Sequence, residues 1–136
     1  MQQYIIDTQI LIWYQLKSQA LSASNYTLLL DTTNHIFVSQ VSLFEIAIKQ
    51  KIGKLPALNL SIERLVAIII EDGFEILPIA NAHINAYQDI PFLEHHKDPF
   101  DRLILATSLA ENIPLISSDA NFKYYTPQIT LIYNDI

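Results

Sequence analysis

Asp7, Glu45, Asp101 and Asp119 are the residues of this chain whose types and placement could do chemistry. Asp7 ends the apolar run Tyr4-Ile5-Ile6, and Asp119 follows Leu115-Ile116-Ser117-Ser118. Glu45 interrupts an apolar stripe at helical spacing, with Val41, Ile48 and Ile52 on the same face. Asp101 lies in the segment Lys97-Asp98-Pro99-Phe100-Asp101-Arg102. Two carboxylates about 4 Å apart repel by about 4 kcal/mol at an effective dielectric near 20. Acids gathered in one place therefore bind protons at unusually high pH or recruit a cation. A donor set made only of oxygens suits Mg²⁺, with Mn²⁺ a second candidate. A cation held this way can orient a water, lower its pKa and offset charge developing on a phosphate.

Each acid also has a local structural reading. Asp7 is a favourable N-cap for a following helix. Ser42-Leu43-Phe44-Glu45 matches a capping box, although a helix starting at Ser39 fits equally, and Lys49 offers Glu45 an ordinary ion pair one turn on. Asp98-Pro99 reads as an N-cap followed by proline in the first turn, which leaves Asp101 at the third helical position. Asp119 could cap a short helix. Capping explains each acid alone and does not explain the set.

The elements around them alternate. Strands are expected at 3–6, 35–38, 75–79, 114–117 and 129–133, as short, β-branched runs covered on both faces. Helices are expected at 8–17, 22–33, 40–53, 61–72, 80–88, 99–112 and 119–124, with Gly73 closing the fourth. This order predicts one α/β domain over residues 1–136: a three-layer α/β/α sandwich on a mostly parallel sheet of about five strands. In such sheets ligands bind beyond the carboxyl ends of the strands, near a reversal of strand order. Asp7 and Asp119 fall at that edge by topology alone.

Composition removes several alternatives. Of 136 residues 51% are apolar and 16% charged, a core-rich and ordered composition. The chain has two glycines, Gly53 and Gly73, too few for a P-loop or a dinucleotide fingerprint. It has no cysteine, which excludes disulfides, thiolate metal sites and cysteine nucleophiles. No signal-peptide pattern opens the sequence, and the longest apolar run, residues 65–70, is too short to span a bilayer. A cytoplasmic location is the expectation. The net charge of −6 opposes broad nucleic-acid binding, yet Lys49, Lys51 and Lys54 cluster, and Lys97 and Arg102 flank the Asp98/Asp101 pair. Lys49, Lys97 and Arg102 are the candidate phosphate contacts. His95-His96 reads as a loop pair with divergent side chains, either plain loop residues or substrate contacts. His35 and His83 read as structural, and Trp13 and Tyr14 as core or interface. No Ser-His-Asp arrangement supports serine-hydrolase chemistry.

Four stretches together resemble a known family. They are Tyr4-Ile5-Ile6-Asp7-Thr8, Val41-Ser42-Leu43-Phe44-Glu45-Ile46-Ala47, His96-Lys97-Asp98-Pro99-Phe100-Asp101-Arg102-Leu103-Ile104 and Leu115-Ile116-Ser117-Ser118-Asp119. In order and spacing they look like the PIN domain, closest to the VapC-type toxins of bacterial toxin–antitoxin pairs. The resemblance implies an Mg²⁺- or Mn²⁺-dependent endoribonuclease in which Asp7, Glu45, Asp101 and Asp119 form the acidic quartet. Asp7 and Asp101 would be the main metal ligands, and Asp98 a cap or an additional ligand. It also implies an RNA substrate, a cognate antitoxin and a homodimer. Two departures stand out: Ser117 replaces the usual threonine, and Ala120-Asn121 lacks the basic residue often found there. A DNA nuclease or phosphatase on the same site, or a non-catalytic PIN-like binding module, are the alternatives.

Overall fold

A computed structural model describes residues 2–135. Five strands form one parallel sheet: β1 (Gln3–Ile6), β2 (His35–Ser39), β3 (Glu75–Leu77), β4 (Leu115–Ser117) and β5 (Leu131–Tyr133). Their spatial order is β3-β2-β1-β4-β5. The chain thus winds outward from β1 in one direction, then returns to the other side of β1 for β4 and β5. Right-handed crossovers make this reversal place helices on opposite faces of the two halves. The expected α/β/α sandwich is the fold observed, with every strand pair parallel.

The pleat divides the core in two. Ile6, Ile36, Val38 and Ile116 face one layer, with α1 (Thr8–Leu16), α2 (Ala23–Leu30) and α4 (Ile62–Glu71). Ile5, Phe37 and Leu115 face the other, with α5 (Asn81–Tyr87) and α6 (Pro99–Glu111). Ile5 and Ile6 are neighbours in sequence and wholly buried, yet they serve opposite layers. α3 (Gln40–Lys51) reaches both layers, through Leu43 and Ile46 in one and Val41 in the other. Trp13 and Tyr14 pack against the first layer, as expected of core residues.

Element ends depart from expectation in a few places. α2 stops at Leu30 because Asp31 turns its carboxylate onto the backbone N–H and hydroxyl of Thr33. α3 starts from Ser39, whose hydroxyl accepts from the Val41 N–H, so the alternative start at Ser42 is not used. The segment after Asp119 is a 3-10 helix, Ala120–Tyr125. α4 closes at Gly73, as expected. With φ +84°, Gly73 sits in the left-handed region that the turn requires, and Phe74 donates back to the Ile69 carbonyl.

Candidate metal centre

The reversal of strand order falls between β1 and β4. Asp7 leaves the end of β1, and its N–H donates to the Ile116 carbonyl on β4. Ser117, Ser118 and Asp119 leave the end of β4 beside it. An open cleft here is lined by Asp7, Thr8, Gln9, Glu45, Lys49, Asp98, Asp101, Ser118 and Asp119. All four acids read from the sequence thus meet, together with Asp98.

Local folding explains the position of each. Asp7 is the N-cap of α1: one carboxylate oxygen accepts from the Ile10 N–H at 2.9 Å, and the other accepts from the Ser117 hydroxyl. Ser117 in turn accepts from the Asp119 N–H at 3.0 Å, so one hydroxyl ties the ends of β1 and β4 together. Hence the serine that stands in the usual threonine position keeps the hydroxyl this link needs. Asp119 caps the 3-10 helix by accepting from the Asn121 N–H at 2.9 Å. Asp98 caps α6 by accepting from the N–H groups of Phe100 and Asp101. Asp101 follows one turn in and points its carboxylate into the cleft from α6. Glu45 comes from α3, where Thr8 donates to it at 2.7 Å and Lys49 lies 3.6 Å away. The Thr8 hydroxyl also lies 2.9 Å from that of Ser42.

The electrostatics show what the arrangement costs. Burial is the first cause pushing the Asp7 carboxyl up from 3.8 to about 7. Hydrogen bonds from Ser117 and Ile10 oppose the rise, and the charges of Asp101 and Asp119 add to it. Asp101 is raised to about 6, first by burial and then by the neighbouring Asp98 charge, with His96 opposing. Five carboxylates line the cleft against one lysine. Glu45, Asp98 and Asp101 can each offer an oxygen within 4.8 Å of one another, and so can Asp101 and Asp119 together with a nitrogen of His96. Asp101 belongs to both groups. A hard divalent cation fits this donor set: it would supply the positive charge that the buried carboxylates lack, through the oxygens it prefers.

The expected cations beyond Lys49 are placed elsewhere. Arg102 is a correction: it is 3% exposed and does not reach the cleft. Its guanidinium donates to the carbonyls of Ile90 and Pro91 and to the Tyr87 hydroxyl, pinning the loop after α5 to α6. Three of its N–H donors are thereby turned to partners away from the cleft. Lys97 is exposed, 3.1 Å from Glu94 and over the Phe92 ring, outside the lining of the cleft.

Sequence reasoning missed His96. The two adjacent histidines do diverge: His95 is exposed and packs on Tyr124, whereas His96 turns inward and is 5% exposed. Its Nε2 lies 3.2 Å from Asp101 and 3.7 Å from Asp119, and its Nδ1 lies 2.7 Å from the Tyr125 hydroxyl. No local signal marked His96, because the rings that enclose it, Phe122 and Tyr125, are remote in sequence. His35 and His83 are structural, as expected. His35 pairs with Glu75, and His83 accepts from the Ala80 N–H at the start of α5.

The PIN domain family model matches residues 4–126. The chain belongs to the PIN domain family. Members of this family are nucleases. No curated protein sequence matches the chain. Solved structures do. One is a chain from VapBC2 of Rickettsia felis bound to a DNA fragment from their promoter, with TM-score 0.70 and 20% identity, covering 98% of this chain and 99% of that chain. Another is from DNA-bound VapBC of Salmonella typhimurium, with TM-score 0.66, 15% identity and coverage of 99% and 100%. A third, from VapBC-5 of Mycobacterium tuberculosis, a member of the VapBC family of toxin–antitoxin systems, gives TM-score 0.60 at 17% identity and covers 100% of both chains. At these identities the likeness establishes a shared PIN fold along the full length of each chain. No helix among the described residues is long and apolar enough to cross a membrane.

Proposed function

We propose that this PIN domain is an Mg²⁺- or Mn²⁺-dependent endoribonuclease and the toxin of a toxin–antitoxin pair. The observation that carries the reading is the gathering of five carboxylates at the switch point, two of them raised to about 6 and about 7 by burial first and by neighbouring carboxylates second. Structural capping alone does not call for such unneutralised charge. Asp101 and Asp7 would be the principal holders of the cation, directly or through water, with Glu45 and Asp119 completing the site and Asp98 within reach from its cap. When bound, the cation would lower the pKa of an attacking water and offset charge on the phosphodiester oxygens.

The chain's own residues would do the rest. Glu45, steadied by Thr8 and Lys49, stands where it can accept a proton from the attacking water. Lys49 is the cation at the cleft placed to meet a phosphate. The hydroxyl of Ser117 keeps Asp7 and the start of the Asp119 turn at a fixed separation.

RNA as the substrate is supported by the four-motif likeness to VapC-type PIN domains. The solved relatives are VapBC assemblies, which supports a cognate antitoxin as partner. Exposed apolar side chains such as Phe44, Ile52, Ile70 and Ile84 leave room for protein partners, including a second copy of the chain.

Cleavage of RNA with added Mg²⁺ or Mn²⁺, compared between wild type, Asp7→Asn and Asp101→Asn, tests the proposal. The expected result is cleavage by wild type, loss with EDTA and loss in both variants. Cleavage indifferent to EDTA or to both substitutions would end it. Matched DNA and phosphomonoester substrates distinguish an RNase from a DNase or a phosphatase on the same acids.

A further inference from the structure

Among the described residues, His96 is a buried ring that lies within 4 Å of two acids of the cleft, and nothing in the proposed chemistry uses it. The ring packs edge-on against Phe122, with centroids 5.4 Å apart, and tilted against Tyr125, at 5.6 Å. Its two nitrogens face different partners. Nδ1 meets the Tyr125 hydroxyl at 2.7 Å, and Nε2 meets Asp101 at 3.2 Å and Asp119 at 3.7 Å. An ionised carboxylate only accepts, so the nitrogen that faces Asp101 in that state carries a hydrogen whether the ring is neutral or charged. In the neutral ring Nδ1 then carries no hydrogen, and the Tyr125 hydroxyl donates to it.

We infer that His96 is a positioning residue: in the tautomer with hydrogen on Nε2, with Tyr125 at its Nδ1, it donates to one oxygen of Asp101 and fixes that carboxylate from behind. The remaining Asp101 oxygen is then left to the cleft. Asp101 and Asp119 come from α6 and from the end of β4, elements with no direct link at this point, and they repel. A donor on Asp101 fixes one of the two carboxylates before a cation arrives, with Asp119 standing 3.7 Å from the same nitrogen, beyond hydrogen-bond distance. The effect is that of an outer hydrogen-bond partner that orients a ligand, whose removal typically costs about 10–100-fold in metal affinity. His96 acts here through Asp101 and is not a ligand.

This inference rests on the proposed metal site, so its test has one arm that needs no metal. In the apo protein, the ¹⁵N shifts of the His96 ring should report a hydrogen on Nε2 and a hydrogen-bonded acceptor at Nδ1, and Tyr125→Phe should shift the Nδ1 signal by removing its donor. In the second arm, Mn²⁺ affinity is measured by calorimetry on folded wild type, His96→Gln and His96→Asn. Glutamine places an N–H near the Nε2 position, whereas asparagine places one near Nδ1. His96→Gln should keep affinity within about threefold, and His96→Asn should lose about 10–100-fold. Equal loss in both variants, or no loss in either, overturns the inference. Directly coordinated nitrogen in the spin-echo spectrum of bound Mn²⁺, lost in His96→Gln, overturns it in favour of ligation. A wild type that binds no Mn²⁺ and cuts no RNA removes the proposed function instead, and the ring ¹⁵N shifts still decide the tautomer.

Discussion

Three helices of this PIN domain begin on serine and three on aspartate. Ser22, Ser39 and Ser61 cap α2, α3 and α4 through their hydroxyls. Asp7, Asp98 and Asp119 cap α1, α6 and the 3-10 helix through one carboxylate oxygen each. As caps the two residue types are nearly equivalent. Their locations are not: none of the three serines lines the acidic cleft, and all three aspartates do. Serine therefore suffices where a helix only needs its first N–H groups satisfied. The aspartates bring a second oxygen and a negative charge to the cleft. Capping also fixes the carboxylates, because an oxygen held by a helix start cannot wander, and its partner oxygen is aimed with it.

The largest effect expected from breaking this contrast is on cleavage. Asp7→Ser keeps a capping hydroxyl but removes the charge, and it should lower metal-dependent RNA cleavage by about 10³-fold or more, as for residues that act as a unit. Asp101→Asn should do the same. The reverse swap, Ser61→Asp, keeps the cap on α4 and should leave cleavage unchanged. Cleavage assays on purified, folded variants decide all three.

The next effect is on stability. Folding raises the Asp7 carboxyl from 3.8 to about 7, so between those values the native state holds a proton that the unfolded chain has released. Asp101, raised to about 6, acts in the same direction. Stability from these groups is fully present below about pH 4 and is lost as pH rises through 6 and 7. For Asp7 alone that loss is on the order of 4 kcal/mol. Chemical denaturation of metal-free protein should show stability falling across that window, Asp7→Asn should flatten the fall, and Mn²⁺ should restore stability at the high-pH end.

Arg102 supplies a charged residue of the opposite kind, buried and satisfied. Arg102→Met leaves two carbonyls and a hydroxyl without their donor, and should cost about 3 kcal/mol of unfolding free energy. Mn²⁺ affinity of the folded variant should stay within a few-fold. Ser61→Ala should cost only about 1 kcal/mol, the usual worth of a cap, with cleavage intact. The smallest effect is at Lys49: Lys49→Met should weaken RNA binding by about threefold, since an exposed charge contributes well under 1 kcal/mol.

Much of this was legible in the sequence. Short β-branched runs alternating with helical periods specified the parallel sandwich, and strand ends specified where Asp7 and Asp119 would lie. The helical register from Asp98-Pro99 put Asp101 at the third position, where the structure has it. The helix after Ser22 ended early because the Asp31 turn competes locally with a helical pattern that continues past it. Arg102 was misread because a cation beside two aspartates looks like surface charge. Its burial depends on the loop after α5 folding back onto α6, a tertiary event with no local signature. His96 was passed over for the same reason. A histidine doublet in a polar loop gives no sign that one ring is enclosed by Phe122 and Tyr125, residues more than twenty positions away.

The central claim is that the aspartate caps, unlike the serine caps, exist to hold a divalent cation. Calorimetric titration of Mn²⁺ into the metal-free protein, with wild type and Asp7→Ser side by side, tests it most directly. Saturable binding to wild type that Asp7→Ser abolishes while remaining folded is the predicted result. Equal binding by the two proteins, or none by wild type, would contradict it.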